Sequence, residues 1–105
     1  MLKNWHEMNA FDFDISESIG VLCVGSCEQH SDYLPLGTDS MLGVRIAQEA
    51  AKSSNCNVIM LPPQQVGYSS HHRKFSGYIT LSQEVLFDYL IEVCLCAYEN
   101  GLKKL

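Results

Sequence analysis

The sequence has no apolar run approaching the roughly 20 residues that a membrane-spanning helix needs. It is also short of positive charge. Seven Lys and Arg face twelve Asp and Glu, for a net charge of −5. A nucleic-acid binder would need a dense basic patch to overcome that field. The one basic cluster upstream of the C-terminus, His71, His72, Arg73 and Lys74, is too small. The first seven residues are charged and aromatic, unlike the apolar stretch of a secretory signal. There is no internal repeat, low-complexity tract or linker. The five cysteines are an odd number, and four lie inside apolar segments. That argues against a disulfide framework and for reduced thiols in a cytoplasmic protein. What remains is a globular composition, 47% hydrophobic and 18% charged, and a length of 105 residues that suits one domain.

The order of elements predicts an α/β fold. Ile19 to Gly25 is a short apolar run rich in β-branched residues, as in a strand buried on both faces of a parallel sheet. A polar loop with Pro35 and Gly37 follows. From Ser40 to Lys52, Met41, Val44, Ala47 and Ala51 recur at helical spacing behind Asp39. Val58 to Leu61 reads as a second strand, ended by Pro62 and Pro63. After a long loop, Thr80 and Gln83 resemble a capping box for a helix running to about Glu99. That helix carries one narrow polar stripe, Glu84, Asp88 and Glu92, so most of its surface should be buried. Asn100-Gly101 is a stop signal. The next strand of a β-α-β-α series is expected at Leu102 to Leu105. Two strands and two helices offer the apolar second helix too little surface, which suggests an incomplete domain or an obligate oligomer.

Ligands of open α/β sheets bind beyond the carboxyl ends of strands. There the chain reads Gly25-Ser26-Cys27-Glu28-Gln29-His30, with Asp39 further along in a Gly-Thr-Asp turn. If the segment is extended, Glu28 and His30 leave it on one side, roughly 6–7 Å apart. Glu, His and Asp suit Zn²⁺ or Mn²⁺, and a carboxylate can bridge two cations. The plainer readings stay open at this point. Asp39 is well placed as a helix N-cap, and Glu28 and His30 could simply face water. His71 and His72 read as exposed loop residues, because adjacent histidines rarely share one ion. Cys23, Cys94 and Cys96 read as core, while Cys27 lies nearer the candidate site.

Gly25 to Asp39, GSCEQHSDYLPLGTD, resembles the signature of the creatininase family of metal-dependent amidohydrolases. Leu61 to Leu81, LPPQQVGYSSHHRKFSGYITL, is similar to that family's second motif, a Leu-Pro-Pro strand end, a Gly-containing loop and a His-x-x-Phe-Pro-Gly-Thr-Ile turn. The resemblance implies a three-layer α/β/α sandwich around a mostly parallel sheet, usually assembled as hexamers. It implies hydrolysis of a cyclic amide or formamide C–N bond at a dinuclear metal site, with Zn or Mn, or Fe, as the metal. Creatinine hydrolysis and a deformylation in flavin and deazaflavin synthesis are examples. Glu28 would bind one metal, His30 the other, and Asp39 would bridge them. His72 aligns with the histidine of the second motif and is a candidate pocket residue, with no catalytic residue otherwise assigned.

The sequence departs from the family pattern locally and in length. Ser31-Asp32-Tyr33 stands where Gly-Pro-His is usual, and Ser76 and Tyr78 replace Pro and Thr of the second motif. Family members are considerably longer. Their next motif, which contains a further metal-ligand histidine, and a later Glu-containing segment have no counterpart here. Residues 1–105 therefore read as the N-terminal half of a single creatininase-like domain, from a truncated gene or a split protein. The expected partners are a small-molecule amide substrate and either further copies of the chain or a complementing C-terminal half, with neither nucleic acid nor membrane. The alternative is an inactive truncated remnant that only folds and oligomerises.

Overall fold

The structure is a computed structural model that describes residues 1–105, the side chain of Asp12 excepted. Three short strands, β1 (Leu2–Asn4), β2 (Ile19–Val21) and β3 (Val58–Met60), form a parallel sheet in the order β1-β3-β2. β3 is central because it is the most apolar: all three of its residues are buried. Leu2 and Ile19 both pair with Val58, from opposite sides. Two helices cover the sheet, α1 (Thr38–Ser53) and α2 (Gln83–Glu99). Side chains alternate along β3. Val58 and Met60 pack with Ala47 and Ala51 of α1, whereas Ile59 and Leu61 pack with Val93 and Ala97 of α2. The helices thus lie on opposite faces, giving part of a three-layer α/β/α sandwich.

The strand expected over Ile19 to Gly25 is broken in the middle. Pro62 and Pro63 have no backbone N–H, so they cannot donate across to β2. Pairing resumes beyond them, where Gln64 N donates to Cys23 O at 2.8 Å and Gly25 N donates to Gln64 O at 2.8 Å. At the other edge of β2, Gly20 N donates to Lys104 O at 2.8 Å. The stretch after α2 therefore returns to the sheet beside β2, where the next strand was expected. Leu102 anchors it, buried among Ile15, Ile59, Leu61 and Ala97.

Three local expectations are corrected. The cap of α2 is Ser82, whose hydroxyl accepts from Val85 N at 3.2 Å. Thr80 is otherwise engaged, accepting from Ser69 N at 2.7 Å. Asp39 is not an N-cap, since α1 begins at Thr38 behind Gly37, with no side-chain cap bond. The surface of α2 is largely exposed rather than buried. Only Ala97 is buried, while Phe87 and Tyr98 are 66% and 71% exposed. One stripe of the helix meets the sheet, and Val85, Phe87, Leu95 and Tyr98 outside it are exposed.

Candidate metal centre

The candidate site lies past the carboxyl ends of β2 and β3 and at the start of α1. Gly25 makes this possible. A Cβ there would fall 2.6 Å from the Ser40 Cα, so only glycine lets the end of the β2 segment approach α1 this closely. The segment beyond is pinned by its backbone. Ile79 N donates to Cys27 O at 3.0 Å, and Glu28 N donates to Leu36 O at 3.0 Å. Ser31 follows with φ 61, a left-handed conformation, at the position where the family motif has glycine.

Glu28, His30 and Asp39 converge. One donor atom from each lies within 4.8 Å of the others. The His30 ring folds back so that Nδ1 sits 2.9 Å from the Glu28 carbonyl oxygen. A carbonyl can only accept, so Nδ1 carries a proton. In the neutral ring Nε2 then presents a lone pair, and it faces Asp39 Oδ1 at 3.2 Å. The other Asp39 oxygen accepts from the Ser26 hydroxyl at 2.6 Å. Two acceptors facing each other require positive charge between or upon them. The Glu28 carbonyl, followed by Asp39, pushes the His30 pKa up, against the opposing effect of desolvation. The Ser26 hydroxyl, and after it His30, hold the Asp39 carboxyl below the usual range. Asp39 is therefore an anion held in place by Ser26 while its free edge meets His30.

A second group converges on Glu28 from the loop after β3. His71 Nε2 and His72 Nε2 stand 3.8 and 3.7 Å from Glu28 Oε2. Glu28 Oε2 and His72 Nδ1 are both buried and have no hydrogen-bond partner among the described residues. The pair was expected as exposed loop residues. His71 is exposed as expected, but His72 is turned inward. Nothing in the sequence signals the approach of His71 to Glu28, because adjacency in a loop fixes no direction. Ser26 also went unassigned, and only the position of Asp39 reveals it. Cys27 turns away, its thiol lying 3.8 Å from Gly77 O. A cleft of about 680 Å³ opens next to the site, lined by Ser26, Cys27, Ser40, Met41, Val66 and Ile79 among others.

The donor set, two carboxylates and an imidazole around an unpaired buried oxygen, fits a borderline divalent cation such as Zn²⁺ or Mn²⁺. The profile of the family described as "Creatininase: Creatinine amidohydrolase" matches residues 2–105. The chain belongs to the creatininase family. It is 32% identical over 85 residues to a 3-dehydro-scyllo-inosose hydrolase of Thermotoga maritima, a match covering 80% of this chain and 27% of that protein. It is 32% identical over 76 residues to the mycofactocin precursor peptide peptidase of Mycobacterium ulcerans, covering 66% of this chain and 30% of that one. Among solved structures, a manganese creatininase superposes with TM-score 0.86 at 18% identity, covering 96% of this chain and 42% of that chain. A mutant creatininase of Zn–Zn type gives TM-score 0.85 at 18% identity with the same coverage. The fold is creatininase-like, and the chain spans less than half the length of these relatives. Among the described residues, no helix is long and apolar enough to cross a membrane.

Proposed function

We propose that this chain supplies part of the metal centre of a creatininase-family amidohydrolase that opens a cyclic amide or formamide C–N bond. The observation that supports this most directly is the convergence of Glu28, His30 and Asp39 within 4.8 Å in an arrangement that calls for positive charge. In this reading Glu28, His30 and Asp39 would hold the metal. The bound cations would polarise the amide carbonyl and make hydroxide available near neutral pH. Ser26 fixes one oxygen of Asp39 and leaves the other edge free. The Glu28 carbonyl fixes the His30 tautomer so that Nε2 faces the site. His72, with Nε2 3.7 Å from Glu28 Oε2, would be a pocket residue.

Three ligands are few for two ions, since each normally takes about three protein ligands and keeps an open position. We therefore take residues 1–105 as the N-terminal half of a single domain. The remaining ligands, and the substrate pocket, would come from a complementing C-terminal half or from a further copy of the chain. The exposed apolar face of α2 suits either covering. It also suits the alternative reading, a folded module that oligomerises without catalysis. In both readings the compartment is the cytoplasm, in keeping with five free cysteines.

The test is metal binding by the chelator-stripped chain, read by elemental analysis after gel filtration in Zn²⁺ or Mn²⁺. The chain should retain metal, and Asp39→Asn should lower the amount. Retention unchanged in Asp39→Asn, or no retention by the parent chain, overturns the metal-centre reading. Hydrolysis of a formamide or cyclic amide should appear only when a C-terminal half of a family member is co-expressed. Absence of hydrolysis in a metal-loaded, assembled pair favours the non-catalytic module.

A further inference from the structure

We infer that His71 and His72, together with Glu28, form a divalent-cation position of their own, separate from the one at His30 and Asp39, so that this chain alone can hold two cations. The inference rests on the proposed metal centre only in sharing Glu28.

One donor from each of these residues lies within 4.8 Å of the others. The two Nε2 atoms are 3.7 and 3.8 Å from Glu28 Oε2, which is too far for a hydrogen bond. In a tetrahedral site with bonds of about 2.0–2.1 Å, neighbouring donors stand roughly 3.3–3.4 Å apart. The observed gaps exceed that by only a few tenths of an ångström, within the reach of small side-chain rotations. A buried carboxylate oxygen thus faces two imidazole nitrogens across a gap too wide for a proton and close to the width of a cation. Glu28 Oε2 has no hydrogen-bond partner among the described residues, so a direct hydrogen bond does not explain the arrangement.

The loop holds this geometry without help from the first site. Ser70–His72 is a single 3-10 turn, closed by His72 N donating to Ser69 O at 2.9 Å. The two rings meet edge-on with centroids 4.4 Å apart, and Phe75 backs His72 at 5.8 Å. That turn is how adjacent histidines come to aim at one oxygen. In an extended strand they would point to opposite sides. Two imidazoles and one carboxylate form a donor set that catalytic zinc sites use, with a fourth position left for water.

The experiment titrates the chelator-stripped full chain with Zn²⁺, and with Co²⁺ for its visible ligand-field absorption. The variants are His71→Gln, His72→Gln, the double variant and Asp39→Asn. Circular dichroism reports folding. The parent chain should bind ~2 ions and the double variant ~1. The affinity lost should exceed the roughly 10–100-fold that outer-shell changes cause. Asp39→Asn should spare the ion that the double variant loses. If the double variant fails to fold, His71→Gln carries the test alone, since His71 is mostly exposed. It should weaken one ion and leave the other. Binding indistinguishable from the parent in the histidine variants overturns the inference. If that residual binding is still lost in Asp39→Asn, the metal centre at His30 and Asp39 stands while the second position falls. No binding by the parent chain overturns both.

Discussion

Replacing Leu102 with alanine tests how the segment after α2 is held to the sheet. Leu102 is 4% exposed in the cluster with Ile15, Ile59, Leu61 and Ala97. Truncating a buried leucine typically destabilises by about 2–5 kcal/mol. In a domain of this size each kcal/mol lowers Tm by roughly 4–8 °C. The partner substitution is Gly20→Ala. Gly20 has no positive φ, so alanine suits its backbone. However, the new Cβ would run into the Leu102 Cδ2 methyl and come within 2.9 Å of Leu105 Cδ1. Overpacking of that kind costs about 1–3 kcal/mol, partly offset by about 0.4–1 kcal/mol from the stiffer unfolded chain. In the double variant the added methyl enters the space that Leu102 vacates. The combined loss should therefore fall short of the sum by about 0.5–3 kcal/mol, the range for contacting residues. Urea unfolding of the four chains, followed by circular dichroism, measures this coupling. Additivity within about 0.3–0.5 kcal/mol would mean that Leu102 does not lie over Gly20, and the packing of this segment would be wrong.

Ser26→Ala should weaken cation binding roughly 10–100-fold, because it frees the Asp39 carboxylate without removing a ligand. Isothermal titration with Zn²⁺ checks this, and unchanged affinity would deny Ser26 a positioning role. Ser31→Gly should raise stability, since a left-handed conformation costs a non-glycine residue about 1–2 kcal/mol. The greater freedom of glycine in the unfolded chain returns part of that gain. The net expectation is about 0–1 kcal/mol from urea midpoints, and a clear loss would refute it.

The apolar runs around β2 and β3 and the helical spacing in α1 and α2 were legible because burial on both faces leaves a strong pattern. β1 was not legible. Leu2-Lys3-Asn4 has no pattern of its own and becomes a strand only because β3 offers it an edge. The cap of α2 was misplaced by two residues, since Thr80 and Ser82 carry equivalent hydroxyls and only tertiary contact shows that Thr80 serves Ser69. Asp39 was recognised as a candidate ligand while also fitting a cap. A two-residue shift in the start of α1, from Ser40 to Thr38, removes the second option. His71 could not be found, because its direction depends on a turn that the spacing does not specify.

The placement of β3 also governs how the chain can fold. Both pairings among the three strands are parallel, so the sheet itself contains no hairpin to form early. The ammonium of Met1 reaches Cys56 O across 55 residues of sequence. Neither β1 nor β2 has a partner until β3 arrives, and β2 meets β3 only after α1 has been spanned. Sheet formation must therefore begin with a long loop closure, as in slow-folding topologies of high contact order. During synthesis on a ribosome, everything before Val58 waits without its central strand. Refolding from denaturant should be slow for a chain of this length, with α1 and α2 free to form before the sheet does.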